Sequence, residues 1–411
     1  MKRHFRTHAL LLAVLIAGAT QLGYAQEAEP PAGDSSQVEP TDGSKLQARY
    51  DDGLDFSTVD GNWRAHLEGR VQFRFWYPFD TNVDAINDYE DLIQTPASAT
   101  FEVRRARLRW SGNFYRPWIK YFVQYDFIGA RLLNTFVAFE KYDGAQFKLG
   151  QFRAPYSREF RESSRRLQLV GRSVVNDYFT LDWQVGLQVD GRLFAGSAGD
   201  SRYYVGVFNG DGRGEPNDDT HFMWMARYQW NFLGRDLALG QGDHEIRDLP
   251  AASLAVAAVT NRSRCTAFST SGCAQLPGFE DGESGQYTIG QIMGELAYKH
   301  RGFSTQGEIH WKRIDDNVNS TLTKLVGGYA QFGYLPHAAI PSFPRPLEFA
   351  VRFATVDPDR ELGGNSFREF TFGVNWYFAG YRNRLTADAS LLDSDEVGSR
   401  GRVRIQWDVT F

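Results

Sequence analysis

The chemistry available to this chain is concentrated in one run, Val103-Arg104-Arg105-Ala106-Arg107-Leu108-Arg109-Trp110. Successive side chains of an extended strand point to opposite faces. Arg105, Arg107 and Arg109 would therefore share one face at steps of about 6.6 Å, with Ala106, Leu108 and Trp110 opposite. Such spacing makes a track along which an anion passes from group to group, not one tight pocket. A guanidinium fork is matched to the paired oxygens of a carboxylate or phosphate. The alternative is that these arginines pair with acidic neighbours and hold structure in place.

A second concentration lies in the segment 154–182. Arg153, Arg158, Glu159, Arg161, Glu162, Arg165, Arg166 and Arg172 fall close together, with Ser163 and Ser164 among them. A connection this long is usually functional or disordered. Folded inward, Arg158, Arg161, Ser163, Ser164, Arg165, Arg166 and Arg172 would form a constriction where basic groups and hydroxyls replace an anion's water. Left outside, the segment is a solvated charge run. Catalysis finds little support: Ser163 and Ser164 lack a nearby histidine to activate them. No His-Glu-x-x-His, Gly-x-Ser-x-Gly or Walker motif occurs. The stretch from Gly210 to Asp219 faintly suggests a calcium loop but misses its ligand spacing, so a solvated turn is preferred. No enzyme activity, metal or cofactor is expected.

Strands must carry these groups, and the sequence supplies them. In His66-Leu67-Glu68-Gly69-Arg70-Val71-Gln72-Phe73-Arg74-Phe75 one parity is charged or polar and the other mostly apolar. The same alternation predicts sixteen strands near 65–76, 101–112, 118–128, 134–142, 145–153, 183–194, 202–209, 221–231, 251–259, 287–300, 303–313, 325–335, 347–356, 367–378, 383–392 and 401–411. An even set of segments near ten residues, with short turns and long polar loops between them, is the pattern of an antiparallel transmembrane β-barrel. Sixteen strands leave room for a water-filled lumen. The expected fold is all-β: short periplasmic turns, long external loops, and loop 154–182 folded inward.

With the polar parity turned inward, Arg70, Arg74, Arg105, Arg107, Arg109, Lys120 and Lys148 form a basic track. Arg192, Arg202, Arg227, Lys299, Lys312, Arg352, Arg384, Arg402 and Arg404 lie on the same parity of other strands. Acidic residues on that parity, among them Glu68, Asp126, Glu308, Glu348, Asp388 and Asp408, are fewer. The lumen is expected to be net positive, which favours anions.

The remaining composition agrees. Aromatics make up 15% of the 411 residues and mean hydropathy is −0.43, which describes a chain rich in strand formers without long oily runs. Lys2, Arg3 and Arg6, the apolar stretch Ala9–Ala19 and Gly23-Tyr24-Ala25 read as a secretory signal over 1–25, cleaved after Ala25. The apolar stretch falls short of the roughly 20 residues that a membrane anchor needs. Residues 26–58 read as a flexible periplasmic tail, and 59–411 as the barrel. Loss of the signal takes the net charge from −5 to −8, which disfavours nucleic acid as a partner. Cys265 and Cys273 stand in a Ser/Thr/Gly-rich stretch of an exported chain and are expected to form a loop disulfide.

Phe101-Glu102-Val103-Arg104-Arg105-Ala106-Arg107-Leu108 resembles the phosphate-selective porin O and P family. So do Tyr121-Phe122-Val123-Gln124-Tyr125-Asp126-Phe127, Lys148-Leu149-Gly150-Gln151-Phe152-Arg153-Ala154-Pro155-Tyr156 and Asn375-Trp376-Tyr377. The resemblance spans essentially the whole mature chain. It implies a homotrimer in the bacterial outer membrane, whose third loop folds inward and binds phosphate or polyphosphate, pyrophosphate included, with basic residues and hydroxyls. The matching stretch is Glu159 to Arg166, where Ser163-Ser164-Arg165 stands in place of two serines and a lysine. Arginine keeps the charge and alters the geometry. The rival readings are a general or sugar-selective porin, for which aromatic tracks with paired acids would speak, and a structural or adhesin barrel that conducts nothing.

Overall fold

The computed structural model describes residues 45–82, 85–269 and 272–411. The expected signal peptide and most of the expected tail lie outside the described residues. The elements, in chain order, are β1 (Leu46–Tyr50), β2 (Leu54–Thr58), β3 (Arg64–Tyr77), α1 (Tyr89–Gln94), β4 (Thr100–Phe114), β5 (Arg116–Asp126), β6 (Arg131–Tyr142) and β7 (Ala145–Arg153). Next come α2 (Arg158–Arg161), α3 (Val174–Phe179), β8 (Trp183–Leu193), β9 (Ser201–Phe208), β10 (Met223–Trp230), β11 (Ala251–Ser263), β12 (Ala267–Ser269) and β13 (Gly272–Ala274). The chain ends with β14 (Tyr287–His300), β15 (Phe303–Asp316), β16 (Thr321–Tyr334), β17 (Leu347–Asp357), β18 (Phe367–Ala379), β19 (Asn383–Ser394) and β20 (Gly398–Thr410).

Strands β3 to β11 and β14 to β20 pair antiparallel with their neighbours. Strand β20 returns to β3, with Thr410 opposite Arg70 and Val403 opposite Tyr77, so the sheet closes as a sixteen-stranded barrel. These strands coincide with the sixteen alternating segments to within a few residues at their ends. Closure removes the long free edges of an open sheet, which lipid cannot satisfy, and leaves the start of β3, ahead of Arg70, without a partner from β20. Among the described residues no helix is long and apolar enough to cross a membrane.

The described end of the expected flexible tail is ordered. β1 and β2 form a hairpin, and β2 pairs with the start of β3, Leu54 opposite Leu67 and Ser57 opposite Arg64. The physical reason is the edge of β3 that β20, ending opposite Arg70, leaves unpaired. Buried Asp55 fixes the join by accepting from Arg64 Nε at 2.7 Å.

Outward positions are apolar and exposed, as at Trp110, Leu187, Trp224, Val256, Ile292 and Phe353. Val256 lies mid-strand in β11 and is 60% exposed. Val256→Arg is expected to cost about 2–4 kcal/mol, the penalty for a cation on the lipid face near the midplane. Denaturant titration in lipid measures it, and unchanged stability would mean that this face meets water.

Inward positions are not uniformly polar, which departs from the reading of a wet lumen on every strand. Over β10 to β18 the inward side chains toward one rim include Met223, Met225, Ile289, Met293, Ile314, Leu325 and Val356, all buried. They pack on Tyr156, Val174, Val175, Tyr178, Phe179 and Leu181 of segment 154–182. The wall is shaped for this approach. A Cβ at Gly327 would come within 2.6 Å of the Phe179 ring, and one at Gly373 within 2.5 Å of Leu169. The segment has its own hydrophobic seat, and that seat is on the barrel wall.

Candidate functional site

Segment 154–182 contains two short helices and otherwise no ladder, so its backbone groups need partners from elsewhere. Ser157 Oγ caps α2 by accepting from Phe160 N at 3.2 Å. The barrel wall supplies most of the rest. Glu308 accepts the Glu159 N–H at 2.8 Å, Asp388 that of Val170 at 2.9 Å, and Glu369 that of Val174 at 3.0 Å. Arg352 donates to the carbonyls of Gly171 and Arg172 at 3.0 Å each, Arg227 to Tyr156, Lys312 to Tyr178, Asn375 to Gln168 and Arg384 to Leu167. Arg227, Lys312, Arg352 and Arg384 thus spend donors on the segment's backbone. Burial pushes the Glu159 and Glu162 carboxyls up, against the pull of Arg352 on Glu159 and of Arg158 on Glu162.

The opposite face of the segment meets β3, β4 and β20. Arg70 binds Asp408 through Nε at 2.8 Å and NH2 at 2.5 Å, and its NH1 reaches Ser164 Oγ at 3.0 Å. Arg109 binds Glu68 at 2.9 Å and approaches Ser163 Oγ at 3.4 Å, while Arg165 takes the other Glu68 oxygen at 2.7 Å. Arg107 binds Asp126 at 2.7 Å. Arg105 differs: its NH1 donates to the neutral Gln72 Oε1 at 2.8 Å. Arg74 binds Asp80 at 2.6 Å and also the Gln406 side chain.

The structure therefore brings Ser163, Ser164 and Arg165 against Arg70 and Arg109. Other expected residues stand apart. Arg158 is buried against Ala238 O at 2.9 Å, with Glu295 at 3.9 Å. Arg161 bonds Tyr204 OH at 2.9 Å, and Arg166 lies 5.9 Å from the Tyr381 ring centre. Arg172 donates to the carbonyls of Glu159, Phe160 and Glu162, tying the segment to itself. Lys148 sits between the Phe136 and Phe152 rings, at 5.1 and 5.2 Å. Lys120 lines a separate chamber of about 350 Å³ with His66, Asn113 and Glu140. Cys265 and Cys273 are joined and tie the β12–β13 hairpin. Among the described residues no group of three His, Cys, Asp or Glu side chains is arranged to hold a metal.

Two cavities flank Ser164-Arg165. One, of about 80 Å³, is lined by Arg74, Arg104, Arg105, Ser164, Arg172 and Asp182. The other, of about 400 Å³, is lined by Glu68, Arg165, Arg166, Tyr381 and Arg382. Arg104 and Arg105, each with an Nε that has no partner among the described residues, can offer donors to an anion, and Ser164 adds a hydroxyl.

Several residues here escape the period-two reading. A register shift between Gln72 and Phe73, opposite Arg105 and Val103, places Arg104 in a bulge, and it lines the same cavity as Arg105. Asp80 lies within 4 Å of Arg74, Arg104, Arg402 and Arg404. Burial acts to raise its carboxyl, but Arg74, Arg404, Arg104 and Arg402 hold it well below the usual carboxylate range. The connection 231–250 also reaches inward: Gln241 Oε1 accepts the Gln168 N–H at 2.7 Å, and Gly240 N donates to Glu162. It joins strands at the rim where the other turns are mostly short, so its length was the one available signal.

A family model described as phosphate-selective porin O and P matches residues 71–404. No curated protein matches the chain. Among solved structures, the outer membrane channel DcaP of Acinetobacter baumannii is similar at TM-score 0.55 and 12% identity, covering 87% of this chain and 99% of that one. The anion-selective porin of Comamonas acidovorans is similar at TM-score 0.53 and 10% identity, over 84% and 99%. OmpT of Vibrio cholerae is similar at TM-score 0.53 and 11% identity, over 85% and 98%. At such identities these likenesses speak for the fold.

Proposed function

Because the chain belongs to the phosphate-selective porin O and P family, we propose that this outer-membrane porin passes small anions by diffusion, with phosphate and polyphosphate as its preferred solutes. The reading includes a homotrimer in outer-membrane lipid, reached after cleavage of the signal peptide behind Ala25. One observation carries it. Arg104, Arg105 and Ser164 converge on one cavity beside the constriction, and Arg105 has no carboxylate among its hydrogen-bond and ion-pair partners in the described residues. A permeant anion can take the place that a carboxylate takes beside Arg107 or Arg109. The Comamonas porin is anion-selective, which points the same way.

Reversal potentials across a planar bilayer under a salt gradient test the sign of selectivity, and cation preference would contradict the reading. Block of chloride conductance by phosphate and pyrophosphate tests the solute. Arg105→Ala and Arg165→Ala are each expected to raise the half-blocking phosphate concentration by roughly tenfold, the worth of one charge-assisted hydrogen bond. Unchanged block in both would remove the site assignment and leave the barrel standing. The extensive pairing of the other lumen arginines with carboxylates favours the rival of a general anion porin. Equal block by phosphate and by chloride-like anions would select that reading.

A further inference from the structure

We propose that Asp182 makes the cavity beside the constriction selective for oxyanions that carry a hydroxyl, phosphate above all, over fully deprotonated ones such as sulfate. The inference rests on the anion-porin reading and sharpens it. Asp182 is completely buried and lines the cavity that Arg104, Arg105, Ser164 and Arg172 share, and among the described residues neither of its carboxylate oxygens has a well-formed hydrogen bond. Its backbone adopts φ 52°, in the left-handed region that aspartate enters more readily than most residues. A buried carboxylate without a donor is costly, and such an exception asks for a ligand or a role.

Arg153 and Arg172 spend donors elsewhere. Arg153 gives its NH1 to the carbonyls of Phe160, Arg161 and Glu162, and Arg172 gives its donors to those of Glu159, Phe160 and Glu162. The cavity thus offers donors from arginine and serine and one acceptor from Asp182. An oxyanion fits when most of its oxygens accept and one donates. Phosphate near neutral pH still carries a hydroxyl and satisfies both demands, whereas sulfate turns a bare oxygen toward the carboxylate. Burial outweighs the pull of Arg153, Arg213, Arg172 and the adjoining Trp183 N–H and holds the Asp182 carboxyl well above the usual carboxylate range, so the discrimination acts at pH high enough to ionise it. Sulfate enters only with a proton taken up on Asp182; phosphate brings its own. Sulfate block is therefore expected to weaken as pH rises, and phosphate block to persist.

The experiment titrates phosphate and sulfate against chloride conductance of the full-length protein in planar bilayers, with the wild type and Asp182→Asn. In the wild type phosphate should half-block at a concentration roughly tenfold below that of sulfate, the worth of one hydrogen bond to a charged group. Asp182→Asn, whose amide can donate to sulfate, should bring the two together. Equal block in the wild type overturns the proposal, and so does an undiminished gap in the variant. If the variant fails to assemble, the wild-type pH series decides, because a phosphate-to-sulfate ratio that stays flat with pH overturns it. Cation-selective reversal potentials would instead defeat the porin reading itself. Anion selectivity with no phosphate preference defeats the role of Asp182 and the phosphate preference together and leaves the anion-porin reading standing.

Discussion

Arg352→Leu is expected to raise single-channel conductance severalfold and to expose segment 154–182 to added protease, while the barrel stays folded. Arg352 is the main tie between that segment and the wall. It donates to the carbonyls of Gly171 and Arg172, binds Glu369 at 2.5 Å, and lies 3.5 Å from Glu159. Leucine leaves two buried carboxylates without their cation and two carbonyls without a donor. Breaking a buried pair from one side costs about 3–5 kcal/mol, a factor of 100 or more in a local equilibrium. Against this, each ordered loop residue already costs about 1–2 kcal/mol of backbone entropy. The cost falls on the docking of the segment, because the ladder of β17 uses backbone groups that the substitution does not touch. Burial already favours the protonated form of Glu159. In the variant, docking should therefore recover as pH falls and weaken as pH rises. Unchanged conductance together with unchanged protection would show that the segment does not obstruct the bore.

The barrel was legible because lipid and lumen impose opposite demands on alternate residues, and a period of two survives in sequence wherever both demands act. It fails where one lapses. Met223, Met225 and Ile314 turn inward, yet they are apolar because they meet the packed side of segment 154–182 and not water. Arg104 escaped because a bulge resets the count by one, and nothing in Val103-Arg104-Arg105 announces it. The 46–58 hairpin escaped because its partner is an unpaired edge of β3, which exists only once the barrel has closed. Which arginines bind the segment and which face the passage depends on where that segment lies. Arg352 and Arg105 are indistinguishable by parity, and the structure gives one to Glu369 and the other to Gln72.

That division predicts two substitutions with different consequences. Arg105→Glu should lower the anion-to-cation permeability ratio at least tenfold with little loss of stability. Arg404→Gln should leave selectivity nearly unchanged and weaken the fold near Asp80. Replacing Arg105 orphans no carboxylate, and Arg107, Arg74, Arg104 and Arg70 remain to neutralise an introduced one. A unit charge about 6 Å from a permeant ion is worth about 3 kcal/mol at an effective dielectric near 20, and reversing it doubles the change. Solvent in the passage screens much of this, yet a quarter of the doubled figure, about 1.4 kcal/mol, is already tenfold. Arg404 is spent elsewhere: it grips Asp388 at 2.9 and 2.7 Å and reaches Asp80 at 3.3 Å, and Asp388 in turn holds Val170 N. Its charge is balanced on the spot, so a passing ion senses little of it. Reversal potentials for both variants, with thermal unfolding alongside, measure the contrast. Equal loss of selectivity in the two would mean that the summed field of the lumen, and not a track beside the constriction, sorts the ions.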